Sequence, residues 1–207
     1  MRIGIIGAGH IGRTLAAHFV RAGHEVVLSN SRGPETLQDL VSELGPRASA
    51  GTPAEAARSG DVVVVSVPFG RLRDLPAEDL HGKIVVDTNN YYPQRDGHFE
   101  ELDEDRATSS ELLQAQLGAR VVKAFNAMYW EHLRDSGRAV GDPDRVGVPI
   151  SGDDTHAKRV VTGLIDEIGF DAVDAGPLAN GGRKHQPGAP AYAADLPTTE
   201  LRSLLAD

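Results

Sequence analysis

The stretch RIGIIGAGHIG, residues 2–12, decides how the rest of the chain is read. A short apolar run ends in Gly7-Ala8-Gly9-His10-Ile11-Gly12, and beyond it Ile11, Leu15, Phe19 and Ala22 recur on one helical face. A strand, a glycine-rich turn and an amphipathic helix in that order form the context in which G-x-G-x-x-G binds the pyrophosphate of a dinucleotide. Gly7 permits the tight turn, Gly9 lets backbone approach the phosphates, and Gly12 lets helix and strand pack closely. The helix N-terminus adds free N–H groups and partial positive charge.

The remaining sequence continues the alternation. Strands are predicted at Arg2–Ile6, Glu25–Ser29, weakly near Ala48, and at Asp61–Val67, Lys83–Asp87, Ala119–Phe125, Val146–Ser151 and Phe170–Asp174. Several are apolar without alternation, VVVVSV above all, which suits strands covered by helices on both faces. Helices are predicted at Ile11–Ala22, Pro34–Leu44, Pro53–Ser59, Ser110–Leu117, Asp154–Ile168 and from Thr198 onward. Thr52-Pro53-Ala54-Glu55 and Thr108-Ser109-Ser110-Glu111 both read as capping boxes. The pattern predicts a single α/β domain over 1–207 with a doubly wound, mostly parallel sheet. Residues 1–126 form its dinucleotide-binding core, and 127–207 add a strand–helix–strand unit on the substrate side. Ligands in such folds sit beyond the carboxyl ends of the strands.

Composition narrows the partners. Of 207 residues, 40% are hydrophobic and 25% charged, with 30 Asp+Glu against 21 Lys+Arg and a net charge of −9. That balance argues against nucleic acid, whose binding rests on dense basic surface. No segment approaches the roughly 20 apolar residues of a membrane span, and Met1 leads into a strand without a signal-peptide pattern. No membrane partner and a cytoplasmic location are therefore expected. Having no cysteine excludes disulfides and thiolate chemistry. The eight histidines show no HxH or HExxH spacing, so no metal site is expected.

The second strand end carries the specificity signal. About 20 residues past the glycine turn, an NAD site usually places a carboxylate on the ribose hydroxyls. Here the strand ends Ser29-Asn30-Ser31-Arg32, with hydroxyls and a guanidinium suited to a 2′-phosphate. NADP(H) is therefore expected over NAD(H), with Gly33, Pro34 and the helix behind them lending N–H groups. At the next strand ends, Val67-Pro68-Phe69 turns the chain across the opening. Phe69 reads equally as a cover for the cofactor or as a cap on the Leu72–Leu80 loop. Asp87-Thr88-Asn89-Asn90-Tyr91-Tyr92 and Lys123-Ala124-Phe125-Asn126-Ala127-Met128 bring amides and phenols to the same side. Asn126 reads as a hydrogen-bond partner for a carboxamide or as a turn former, its position favouring the first, and Lys123 reads as half of an ion pair in preference to a ligand contact.

GAGHIG, SNSRGPE, VPFG, DTNNYYP, VVKAFNAM and DAGPLANGG together resemble the NADPH-dependent coenzyme F420 reductase family, also called F420H2:NADP oxidoreductases. The resemblance runs along nearly the whole chain. It implies a Rossmann-type protein, often a homodimer, that moves hydride between NADPH and the 5-deazaflavin F420. Carried over, Gly7, Gly9, His10, Ile11 and Gly12 meet the pyrophosphate, Ser31 and Arg32 the 2′-phosphate, and Val67, Pro68, Phe69, Asn89, Asn126 and Ala127 the nicotinamide side.

Residues after Gly147 return to strand–helix–strand, so no counterpart of the long all-helical substrate domain of imine and pyrroline-5-carboxylate reductases is expected. A planar small-molecule acceptor is expected to lie over open strand ends. No Ser-Tyr-Lys or His-Asp constellation is evident, which fits hydride transfer between rings better than carbonyl reduction. Arg183 and Lys184, in the glycine-rich stretch 176–188, read either as a flexible surface loop or as an attraction for the acidic tail of F420. Two alternatives stay open: an NADPH-dependent reductase of flavin, quinone or iron-chelate acceptors, and a non-catalytic NADPH sensor.

Overall fold

Eight strands form one sheet in the order β3-β2-β1-β4-β5-β6-β7-β8. They are β1 Arg2–Ile6, β2 Glu25–Ser29, β3 Ala48–Ala50, β4 Val62–Val65, β5 Ile84–Asp87, β6 Arg120–Lys123, β7 Gly147–Gly152 and β8 Asp171–Gly176. The computed structural model describes residues 1–206. All neighbouring pairs are parallel except β6 and β7. No helix among the described residues is long and apolar enough to cross a membrane.

The uninterrupted valines of β4 are explained by two apolar layers. Val62 and Val64 pack with Ile3, Ile5, Leu15 and Phe19 on one face, while Val63 and Val65 pack with Ala56, Leu113 and Leu117 on the other. Each such buried side chain contributes about 1.5–3 kcal/mol, so no position in this strand is free to be polar. The helices are α1 His10–Arg21, α2 Gln38–Leu44, α3 Pro53–Ser59, α4 Ala77–Leu80, α5 Pro93–Asp96, α6 Glu100–Asp103, α7 Ser109–Leu117, α8 Trp130–Asp135, α9 Thr155–Glu167, α10 Leu178–Lys184 and α11 Thr198–Ala206. Both capping boxes form, with Thr52 and Glu55 opening α3 and Thr108 and Glu111 opening α7.

Three local departures from the predicted pattern have physical causes. β4 stops at Val65 because the Val67 N–H turns away to donate to Asn89 Oδ1. The stretch predicted as one helix over Pro34–Leu44 begins as a 3-10 turn, Pro34–Leu37, before α2. Residues 178–184, readable as a flexible loop, form α10, whose Gly181 and Gly182 are buried. A Cβ on Gly181 would lie 2.7 Å from the Ala175 carbonyl oxygen, so glycine lets this helix press onto β8.

The strand order places β1 between β2 and β4. The chain runs from β1 outward through β2 to β3 and then crosses back to β4 on the other side of β1, so the winding direction reverses there and a crevice opens beyond the carboxyl ends of β1 and β4.

Candidate active site in the crevice above β1 and β4

The crevice begins at the turn after β1. Gly7 has φ +113°, and a Cβ there would stand 2.0 Å from the Ser66 carbonyl oxygen. A Cβ on Gly12 would stand 1.9 Å from the Gly7 carbonyl oxygen, so the first turn of α1 rests directly on the loop. Gly9 differs from both: a Cβ there would meet nothing within 4 Å. The space above Gly9 is open, as a close backbone approach by a ligand requires.

Two connected hollows share Ser66, Val67 and Pro68 as their common wall. One, of about 350 Å³, is lined by Gly7, Ala8, Gly9, Asn30, Ser31, Arg32 and Arg71 among others. Asn30 shapes its rim. Its Oδ1 accepts the N–H groups of Arg32 and Gly33 at 2.9 and 3.0 Å, and its Nδ2 donates to Thr36. The expectation that Gly33 and Pro34 lend N–H groups to a phosphate is therefore corrected, since the Gly33 donor is spent on Asn30 and proline has none. Arg71 pairs with Asp74 at 2.6 Å. The Arg32 guanidinium is exposed and makes no ion pair or hydrogen bond among the described residues.

The second hollow, of about 370 Å³, lies above β4, β5 and β6. His10, Ile11, Val67, Pro68, Thr88, Asn89, Asn90 and Asn126 line it. Tyr92 and Met128, from the two stretches expected on this side, join them, and Arg95, Tyr129, Trp130 and Tyr192, which sequence reasoning missed, complete the wall. The His10 ring stacks on Trp130 with centroids 4.6 Å apart. Phe125, just past β6, takes φ +60° while 2% exposed. Such a conformation is uncommon for a bulky residue and is held by its surroundings.

Beneath this floor runs a buried polar network. Asn89 is 4% exposed, its Oδ1 accepts from Val67, and its Nδ2 has no partner. An unpartnered buried donor costs about 1–3 kcal/mol, and here it lies against the hollow. Lys123 Nζ donates to the Asn89 carbonyl oxygen at 2.9 Å and to Ser109 and Ser110 at 3.2 Å, with Asp87 Oδ2 at 3.8 Å. Burial pushes the ammonium below its usual pKa, and the Asp87 carboxylate opposes that displacement. The ion-pair reading of Lys123 is thus what the structure holds, with hydrogen bonds shorter than the charge contact.

Several expected ligand contacts are used up inside the protein. Asn126 Nδ2 donates to Asn90 Oδ1 and to the His185 carbonyl oxygen, and its Oδ1 faces His185 Nδ1 at 2.9 Å. Both amide hydrogens are therefore spent, so Asn126 has none to donate to a carboxamide and supports the floor through Asn90 and His185. Because Asn126 Nδ2 is fixed by two oxygen acceptors, His185 donates from Nδ1 and its Nε2 accepts from the Ser151 hydroxyl at 2.8 Å. Burial lowers the His185 pKa from 6.5 to about 3.

Ser29 is fully buried and its hydroxyl donates to the Ile5 carbonyl oxygen, which removes it from the crevice. Phe69, 1% exposed, packs its ring edge-on against Tyr91 and Phe99, so it caps the second core and covers no ligand. Gly12 and Ala127 shape the walls from behind and line neither hollow. Arg183 is bound to Asp105 and Ala179, and Lys184 donates to the Leu205 carbonyl oxygen, so both hold α10 in place.

Comparison with known proteins agrees with this geometry. Residues 2–91 match the family model described as NADP oxidoreductase, coenzyme F420-dependent. Metalloreductase STEAP3 of Rattus norvegicus is 32% identical over 182 residues, covering 86% of this chain and 34% of its own length. An uncharacterized oxidoreductase of Bacillus subtilis is 41% identical over 64 residues, 31% of this chain and 21% of its own. The chain thus spans about a third or less of these curated relatives. A solved hypothetical protein from Sinorhizobium meliloti is 33% identical, covers 95% of each chain and gives a TM-score of 0.79. A candidate F420-dependent NADP-reductase from Arthrobacter sp. FB24 is 30% identical over 86% of each chain, with a TM-score of 0.72. With the glycine turn, the strand order and a match along most of both chains in agreement, the protein belongs to the coenzyme F420-dependent NADP oxidoreductase family.

Proposed function

We propose that the protein binds NADP(H) along the crevice and transfers hydride between it and a planar acceptor in the second hollow, coenzyme F420 before others. The observation that carries this reading is the unpaired Arg32 beside Ser31 at the rim of the first hollow, at a strand end that offers no carboxylate to ribose. A free guanidinium in that place pairs more strongly with a 2′-phosphate than with a bare hydroxyl. The open face of Gly9 fits the pyrophosphate. In the second hollow, the unpartnered Asn89 Nδ2 fits a carbonyl oxygen of the cofactor or the acceptor.

When bound, NADPH supplies the hydride, so the chain need only position two rings and exclude competing water. Pro68 and Val67 divide the two hollows and form the wall along which a dinucleotide would pass. The Asn89–Lys123–Asp87 network fixes the floor, and fixed geometry supplies most of what such a transfer needs. A second reading, reduction of flavin or iron-chelate acceptors, is favoured by the likeness to STEAP3, whose name states metalloreductase.

Titration of NADPH and NADH by nucleotide fluorescence, with Arg32→Ala beside the unmodified chain, tests the cofactor half. Loss of one charge-assisted contact of about 1.5–3 kcal/mol should weaken NADPH about 10- to 100-fold and leave NADH within twofold. Equal losses for both nucleotides would remove the phosphate assignment.

A further inference from the structure

Two phenols meet at the wall of the acceptor hollow. Tyr92 precedes α5, and Tyr192 lies between α10 and α11, yet their hydroxyl oxygens are 2.6 Å apart and both side chains line the cavity. Two hydroxyls joined by one hydrogen bond hold two protons and use one. Neither oxygen has a further partner among the described residues, so one O–H is left to donate.

The pair is held from both sides. The Ala193 N–H donates to the Ala127 carbonyl oxygen at 2.7 Å, Asp195 pairs with His132, and Pro197 bridges to Val146. The Arg95 guanidinium carbon stands 4.9 Å over the Tyr92 ring. No Asp or Glu lines the cavity, while His10, Asn89 and Arg95 do, the Arg95 charge being matched from behind by the Asp96 carboxylate at 2.8 Å. A cavity furnished with donors and no carboxylate favours a ligand that gains negative charge as it reacts. Fixed donors in such a place need no reorganisation at the moment of reaction.

We propose that the Tyr92–Tyr192 hydroxyl pair is the hydrogen-bond donor that stabilises the charge appearing on the acceptor during hydride transfer. The acceptor class is a planar conjugated ring bearing carbonyl oxygens, such as a cyclic imide or a quinone. This rests on the NADPH reading above. The C–H bond of the dihydronicotinamide breaks with both electrons, and a new C–H bond forms on the acceptor ring. The electron pair displaced from the ring system settles on its oxygen or nitrogen. The free O–H of the pair donates to that atom and keeps its proton, and solvent later supplies the neutralising proton. Burial and the Tyr92 hydrogen bond raise the Tyr192 pKa, which suits a group that donates a hydrogen bond without ionising.

Tyr92→Phe and Tyr192→Phe test the pair from two separate elements. Three readouts separate donation from stapling: NADPH affinity, single-turnover hydride transfer to F420, and the ratio of dissociation constants for oxidised and reduced F420 measured without nicotinamide. Donation requires that NADPH affinity stay within twofold, that transfer slow about 10- to 100-fold, and that the preference for reduced F420 fall about tenfold or more in at least one variant. Transfer within twofold and an unchanged preference in both folded variants would overturn the proposal and leave the pair as a staple for residues 186–197. If the unmodified chain binds NADPH but does not reduce F420, the acceptor assignment fails instead. The same ratio, measured with oxidised and reduced FMN, then decides the pair: a preference for the reduced form lost in the variants supports it, and no such preference overturns it.

Discussion

His185 turns the buried floor of the site into a measurable acid sensitivity. Its Nδ1–H is given to Asn126 and its Nε2 takes the Ser151 hydroxyl proton, so the folded state has no place for a second proton on the ring. The folded-state pKa, about 3, lies below the ordinary 6.5. The contribution is therefore fully present above pH 6.5 and is lost as the pH falls toward 3, because the unfolded chain takes up a proton that the folded one refuses. Each tenfold change in proton affinity is worth about 1.4 kcal/mol, so about 3 kcal/mol of stability should vanish from this residue alone between pH 6.5 and pH 4. Carboxylates also titrate in that window, so the relevant quantity is a difference. Urea unfolding of the unmodified chain and of His185→Gln, whose side chain does not titrate, should give curves that converge by about 3 kcal/mol as the pH drops from 6.5 to 4. Parallel curves over that range would refute the assignment of a neutral, internally saturated imidazole.

The two glycines of the turn should separate folding from binding. Gly12→Ala drives a Cβ into the Gly7 carbonyl oxygen and should lower thermal stability sharply, whereas Gly9→Ala enters open space and should melt normally while losing NADPH affinity; a normally melting Gly12→Ala would contradict the packing described. Lys123→Met leaves the Asp87 carboxylate buried without its cation and should cost about 3–5 kcal/mol in urea unfolding. Adding Asp87→Asn should recover part of that loss, and a double variant as unstable as the summed singles would argue against the pairing.

The architecture was largely legible because β4 is apolar throughout and β1 and β5 are apolar apart from Arg2 and Asp87 at their ends, which a sheet covered on both faces favours. The glycine turn was legible because the close packing at Gly7 and Gly12 admits no side chain, and Ser31-Arg32 reach the first hollow because they directly follow a strand end. What a side chain does once it reaches the site was less accessible. Asn126 stands at the expected place, yet both its amide hydrogens go to Asn90 and to His185, a partner 59 residues away that no local pattern announces. Ser29 and Phe69 follow the same logic, as their positions in the chain are right and their side chains point into the core. Tyr192 sits in GAPAYAAD, a stretch without periodicity. Only the tertiary ties of residues 193, 195 and 197 bring it over the hollow. Arg183 and Lys184 looked like free basic charge because their partners, Asp105 and the Leu205 carbonyl, belong to distant elements.

The central claim, hydride transfer between NADPH and F420 in this crevice, is tested most directly by mixing purified protein with both and following the visible absorbance of the oxidised deazaflavin. Rapid bleaching with NADPH and little with NADH is the result the account requires. Demonstrable NADPH binding without bleaching would contradict it.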